Sequence, residues 1–118
     1  MIFKSSELEK VVVEKPRGGA GEMKCDFAFQ MGKAPEGSSF QVAAYQTLEP
    51  GSGVGYHQHV DNEELYVILS GQGTFTDNGK VGKPVGPGDM TLTLKGEWHG
   101  IDNTGSEPLI FIAVIVKN

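Results

Sequence analysis

The sequence predicts an all-β chain, folded as a sandwich or a closed barrel. Short apolar runs recur at roughly ten-residue spacing with turn residues between them. Much of the glycine, 17 residues in all, stands in these punctuating positions. The closing run, LIFIAVIV from Leu109 to Val116, reads as a buried strand. As a helix it would be too short to cross a bilayer, which takes about 20 residues.

Composition bounds the rest. A chain of 118 residues suits one domain and can bury a hydrophobic core without staples. Apolar content of 38% and charged content of 21% fit a globular chain rather than a disordered one. A net charge of −5 argues against a nucleic-acid surface. Arg17 is the single arginine, which argues against phosphate recognition by arginine forks. Cys25 is also single, so no disulfide framework forms, and a reduced, cytoplasmic protein is expected. Cys25 is more simply a small buried hydrophobe than a nucleophile. The opening MIFKSSELEK carries charge where a secretory signal needs an apolar core, and no membrane partner is expected.

In order along the chain, Ile2 to Val13 is expected to hold a short helix or strand. SSELEK offers an N-cap serine, and Val11 to Val13 has strand propensity. PRGGAGE reads as a flexible turn without phosphate-loop spacing. Cys25 to Met31 alternates weakly and could be a strand. KAPEGSS is a loop. Phe40 to Leu48 is a strand that puts Phe40, Val42, Ala44, Gln46 and Leu48 on one face. Gln46, a polar residue on an apolar face, is either hydrogen-bonded core or a pocket wall. EPGSG is a turn. Glu64 to Leu69 and Gly73 to Thr76 are strands joined at Gly71–Gly73. Asp77-Asn78-Gly79 signals a hairpin, with Val81 to Val85 as its return. Met90, Leu92 and Leu94 alternate with Thr91 and Thr93, as in a half-buried strand. His99 to Asn103 and Leu109 to Val116 complete the set.

The chemistry lies in two of these segments. His57 and His59 are two apart, so in a strand both imidazoles face one way. Glu63 or Glu64, from the next strand, could add a carboxylate. His99, the third of three histidines, could complete the shell. Imidazole with carboxylate suits a transition metal such as Zn, Fe, Mn, Ni or Cu. The plain alternative is a histidine pair that is merely exposed or satisfied in the core. No serine–histidine–aspartate set or separate acid/base pair is visible, so any chemistry should be centred on a metal.

These segments resemble the paired motifs of the cupin superfamily. The first motif, G-x5-H-x-H-x(3,4)-E-x6-G, is met by Gly51, His57, His59, Glu64 and Gly71. The second, G-x5-P-x-G-x2-H-x3-N, is met by Gly88, Gly96, His99 and Asn103, with Leu94 in place of proline. The resemblance covers residues from about 40 to 116. It implies a jelly-roll barrel of two antiparallel sheets with a metal inside, held by His57, His59, Glu64 and His99. The spacing to Gly71 selects Glu64 over Glu63. Strand parity then turns Tyr66, Ile68, Ile101 and Asn103 inward, and Gln46, Tyr66 and Trp98 become candidates for the pocket lining. One domain is expected over 1–118, with an N-terminal arm over about 1–36 and a barrel core over about 37–118. Members of this size commonly pair as homodimers, often by exchanging N-terminal strands.

The resemblance implies three kinds of function. The chain could be a mononuclear metalloenzyme acting on a small organic molecule, as a dioxygenase, isomerase, lyase or decarboxylase. It could be a non-catalytic binder of a sugar or other small ligand. It could also be a structural protein whose metal only stabilises the barrel, although structural zinc sites are usually closed.

Overall fold

The computed structural model describes residues 1–118 as ten strands in two antiparallel sheets. The strands are β1 (Glu9–Glu14), β2 (Glu22–Phe29), β3 (Phe40–Leu48), β4 (Gly53–Gln58), β5 (Asn62–Ser70), β6 (Gly73–Asp77), β7 (Lys83–Val85), β8 (Met90–Thr93), β9 (Trp98–Asp102) and β10 (Leu109–Lys117). One sheet has the order β1-β2-β3-β10-β5-β8 and the other β4-β9-β6-β7. The strands therefore form an all-β, jelly-roll type of double sheet. β10 is central in the larger sheet and pairs with both β3 and β5.

Period-2 alternation builds the core between the sheets. Along β10, Leu109, Phe111, Ala113 and Ile115 face inward and are buried, while the residues between them are only partly covered. Leu109, Phe111 and Ala113 meet Leu48, Tyr66, Ile68, Phe75 and Ile101 from both sheets, while Ile115 packs with Val42 and Ala44. The Asp77-Asn78-Gly79 hairpin forms as its sequence predicts. Asn78 and Gly79 have φ of 50° and 72°, and Lys80 N–H donates to the Asp77 carbonyl at 3.0 Å. Both central residues of such a turn need positive φ, which Asn and Gly tolerate.

Four local expectations change. The return strand of the hairpin covers only β7, because Pro84 cannot donate to a ladder and keeps β7 at a sheet edge. Ser5–Glu7 is a single 3-10 turn preceded by Lys4, with no serine side chain capping it. A register shift opposite Ile115 and Val116 turns Phe40 out of the face it was expected to share, leaving it 49% exposed. Finally, β8 is inverted. Met90, Leu92 and Leu94 face outward, and Thr93 is buried.

The segment after β1 is ordered rather than loose. Pro16–Gly18 forms a tight turn with Pro16 buried. Gly53 N–H donates to the Ala20 carbonyl at 3.0 Å, fastening this segment to β4.

Candidate metal centre

The register of the smaller sheet brings the two histidine segments together. His57 on β4 lies directly across from His99 on β9. A register irregularity between Val54 and His57 lets the ladder change phase just before the histidine. His59 follows the last residue of β4. Its N–H still donates to the Glu97 carbonyl at 3.0 Å, and its carbonyl accepts from Gly96 N–H at 2.6 Å. The pairing thus extends beyond the strand and keeps His59 on the face of His57. Glu64 enters from the larger sheet, paired with Thr93 of β8.

The donor atoms converge. His59 Nε2 lies 3.0 Å from His99 Nε2, which is 3.2 Å from His57 Nε2. Glu64 Oε1 is 3.0 Å from His59 Nε2 and 3.2 Å from His99 Nε2. Glu63 points away and accepts a hydrogen bond from Asn118 Nδ2 at 2.8 Å. His59, Glu64 and His99 are buried and His57 is partly so.

The opposite ring nitrogens explain why these atoms are aimed. His57 Nδ1 is 2.7 Å from the Gly55 carbonyl, His59 Nδ1 is 2.6 Å from Asn62 Oδ1, and His99 Nδ1 is 2.7 Å from Thr93 Oγ1. A backbone or amide oxygen only accepts, so Nδ1 of His57 and His59 must carry the proton. Asn62 is itself held by donating Nδ2 to Gln41 Oε1 at 3.0 Å. In the neutral rings, Nε2 is then a bare lone pair. Bare nitrogens about 3 Å apart repel one another unless a proton or cation lies among them. The same spacing is that of neighbouring ligands on one ion with bonds of about 2.1 Å. The donor set therefore fits a metal ion, and its outer hydrogen bonds are those that orient metal-binding histidines.

Burial and charge set the protonation states. Burial lowers the His57 pKa from 6.5 to about 4. For His59, burial works downward, but hydrogen bonding to Glu64 and Asn62 outweighs it and lifts the pKa above the usual value. Burial pushes Glu64 up, yet hydrogen bonding to His59 and His99 prevails and holds the carboxyl below its usual range. Tyr66 stays a phenol, because burial and then the Glu64 charge raise its pKa well above 10.

A cavity of about 170 Å³ opens beside the donors. Arg17, Gln46 and Tyr66 share its wall with His57, His59 and Glu64. Two of the three residues singled out as a pocket lining are thus beside the cluster. Trp98 is placed elsewhere. It precedes the inward-facing His99, so parity sends it outward, where it stacks on Tyr56 at 5.4 Å and is 41% exposed. Asn103 faces inward and stabilises a turn, donating Nδ2 to the Leu48 and Glu107 carbonyls at 2.8 and 2.9 Å.

Sequence reasoning passed over Asn62, Thr93 and Arg17. Thr93 carried one usable signal, since a threonine face on a strand can turn inward when it finds a hydrogen-bond partner. Arg17 carried none, because its place depends on a turn closing against a strand more than thirty residues away.

A two-sheet β-barrel enclosing three imidazoles and a carboxylate presents a donor set that could hold a metal ion. The family comparison agrees: the Cupin domain model matches residues 44–115. The chain belongs to the cupin family. It is 40% identical over 116 residues to an oxalate-binding protein of Thermotoga maritima, covering 98% of this chain and 93% of that one. A crystal structure described as a predicted oxalate decarboxylase, also from Thermotoga maritima, superposes with a TM-score of 0.87 at 37% identity, covering all of both chains. Gentisate 1,2-dioxygenase of a Ralstonia species is 27% identical over 113 residues, which are 96% of this chain and 28% of the enzyme.

Proposed function

We propose that the chain binds one divalent transition metal, Mn, Fe, Ni or Zn, through His57, His59, Glu64 and His99, and holds a small carboxylic acid of the oxalate class beside it. The observation that carries this reading is the convergence of four donor atoms, three of whose residues, His57, His59 and Glu64, line a small cavity. A bound metal would supply a Lewis-acid centre that attracts a carboxylate oxygen. The cavity of about 170 Å³ has room for a small ligand beside the donors. A two-carbon diacid fits within that space. The relatives described by oxalate support the same ligand class.

Binding is favoured over turnover by what lines the cavity. Beyond the donors, its polar side chains are Arg17, Gln46 and Tyr66, with no second carboxylate or free imidazole to move a proton. The test is metal analysis of the purified protein, followed by calorimetry of the metal-loaded form with oxalate and product analysis. Oxalate binding that requires the metal, with oxalate recovered intact, is expected. Formation of formate and carbon dioxide would place the chain among enzymes instead, and no binding would overturn the reading.

The partner we infer besides the small ligand is a second copy of the chain. The outer face of the larger sheet is apolar, with Tyr45 44%, Met90 68% and Leu92 53% exposed, and Leu65, Ile112 and Val114 only partly covered. Five neighbouring strands at about 4.8 Å spacing and about 25 Å length give a face on the order of 600 Å². Contiguous exposed apolar patches of a few hundred Å² mark interaction sites, and a standard interface takes roughly 800 Å² per partner. β1 and β2 widen the same sheet, giving the N-terminal strands a part in the homodimer.

A further inference from the structure

Arg17 is the only arginine of the chain and the only lysine or arginine lining the cavity of the metal centre. Two observations say that its position there is built. First, its backbone is in the left-handed region, with φ 52° and ψ 35°, and so is that of Lys15, with φ 45° and ψ 59°. Non-glycine residues occupy this region rarely, at a cost of order 1–3 kcal/mol each, and do so where the surrounding structure imposes it. Second, β4 has been cleared to receive the turn. A Cβ on Gly55 would lie 2.1 Å from the Arg17 carbonyl oxygen, and one on Gly19 would lie 2.0 Å from the Gly53 carbonyl oxygen. Two glycines facing each other across the contact let the Arg17 turn close on the strand that carries His57.

The charge distribution adds a direction. The Arg17 charge reaches His57, His59 and Tyr66, contributing to the pKa of each in the sense expected of a nearby cation. No carboxylate pairs with Arg17, and the acid beside the cavity, Glu64, is engaged by His59 and His99. Arg17 is exposed at the wall of the cavity that His57, His59 and Glu64 also line, and its guanidinium is left without an acidic partner.

We propose that Arg17 is the anion-recognising residue of this site, taking the carboxylate group of a diacid that the metal leaves free and so selecting diacids over monoacids. This rests on the carboxylate reading above. A planar guanidinium presents paired N–H donors that match a carboxylate, and it stays charged throughout the working pH range. Arg17 and three of the donor residues, His57, His59 and Glu64, line one cavity, so a ligand in it meets both. The turn fixes the backbone of Arg17 against β4, so the side chain starts from a set point beside the cavity.

The test uses the metal-loaded protein and calorimetry with oxalate and with acetate. Arg17→Asn and Arg17→Gly both suit a φ of 52°, so neither should unfold the turn, and metal content and melting temperature should match the parent. Oxalate affinity should fall at least tenfold in both variants, while acetate affinity changes less than threefold. Arg17→Lys should lie between, since it keeps the charge without the fork. Unchanged oxalate affinity in Arg17→Asn would overturn the role of Arg17 and leave the carboxylate reading standing. Equal losses for oxalate and acetate, or loss of metal from both variants, would show that Arg17 supports the turn rather than reading the ligand. Failure of the parent protein to bind oxalate at all would remove the carboxylate reading, and this inference with it.

Discussion

The Thr93 hydroxyl oxygen lies 2.7 Å from His99 Nδ1, and both residues are buried at 2% and 0% exposure. The contact joins an edge strand of the larger sheet to a strand of the smaller one. It fixes the imidazole so that Nε2 faces His57, His59 and Glu64. Thr93→Val keeps the side-chain shape and removes the only hydrogen-bond partner His99 Nδ1 has. Metal affinity should fall by about 10–100-fold, as for other partners that orient a metal ligand, with the strand content unchanged. Competition titration with a chelator checks it, and parent-like affinity would make Thr93 a packing residue only.

That contact also shows where the sequence stops being legible. The ligand spacing could be read because it is local: His57 and His59 are two apart, and Glu64 and His99 stand in strands whose parity follows from their neighbours. β8 could not be read the same way. Its alternation is clear, but which face turns inward depends on the partner that Thr93 finds on β9 and on what covers Met90 and Leu92 outside. Trp98 lies outside the pocket because it is next to the inward-facing His99, and adjacent strand residues face opposite ways. Arg17 depends on two left-handed residues and on two glycines more than thirty residues apart, and no local pattern announces that contact.

Glu63 and Glu64 can be separated by experiment. Only the Glu64 carboxylate reaches the imidazoles, whereas Glu63 meets Asn118 near the surface. Glu64→Gln should weaken metal binding by more than the roughly 10–100-fold expected for an outer partner. Glu63→Gln should leave it within a factor of about two. Metal content by elemental analysis after identical purification decides, and equal loss in the two variants would sink the assignment.

Metal loading should release protons. In the metal-free protein His57 is neutral down to a pH of about 4, because burial disfavours its cation. His59 is the opposite case. Burial lowers its pKa, but the Glu64 and Asn62 oxygens raise it further than burial depresses it. Near pH 6 a proton therefore resides on the His59–Glu64 pair and must leave when a cation binds Nε2. Titrating the metal-free protein with Zn(II) in weak buffer should acidify the solution near pH 6, and no acidification there would show that the pair holds no such proton. Occupancy should fall as pH drops toward 4, and a metal retained in full there would argue against histidine ligands.

The apolar outer face predicts a concentration-dependent dimer. Tyr45 and Leu92 lie on strands β3 and β8 of the same sheet and face away from the metal centre. Tyr45→Lys combined with Leu92→Lys places like charges on a surface that must meet its own copy. Light scattering should report a dimer for the parent and a monomer of 12.6 kDa for the double variant, with metal content the same. A parent chain that remains monomeric at about 100 μM would end the proposal, since an interface of standard size is stable far below that.

Cys25 pairs across β2 and β3 with Gln46, and it is 1% exposed. Burial, partly offset by hydrogen bonding to Gln46, raises the thiol pKa from 9.0 to about 11. The sign of the stability effect follows. Below about pH 9 the thiol is protonated in folded and unfolded chains alike, and it contributes no pH dependence. Between about 9 and 11 the unfolded chain loses the proton while the folded chain keeps it, so unfolding gains favour as pH rises. The loss levels off once the folded thiol also ionises, after a total of about 2–3 kcal/mol. Tyr66, also raised by burial, adds a decline of the same sign at higher pH. The contribution of Cys25 is therefore isolated by comparing the parent with Cys25→Ala in urea at pH 8 and pH 10.5. The alanine variant should start less stable, because it leaves a small cavity, and should lose less stability over the same interval. Parallel declines would show that the thiol ionises in the folded protein as readily as in the unfolded one, and rapid alkylation of native Cys25 at pH 8 would say the same.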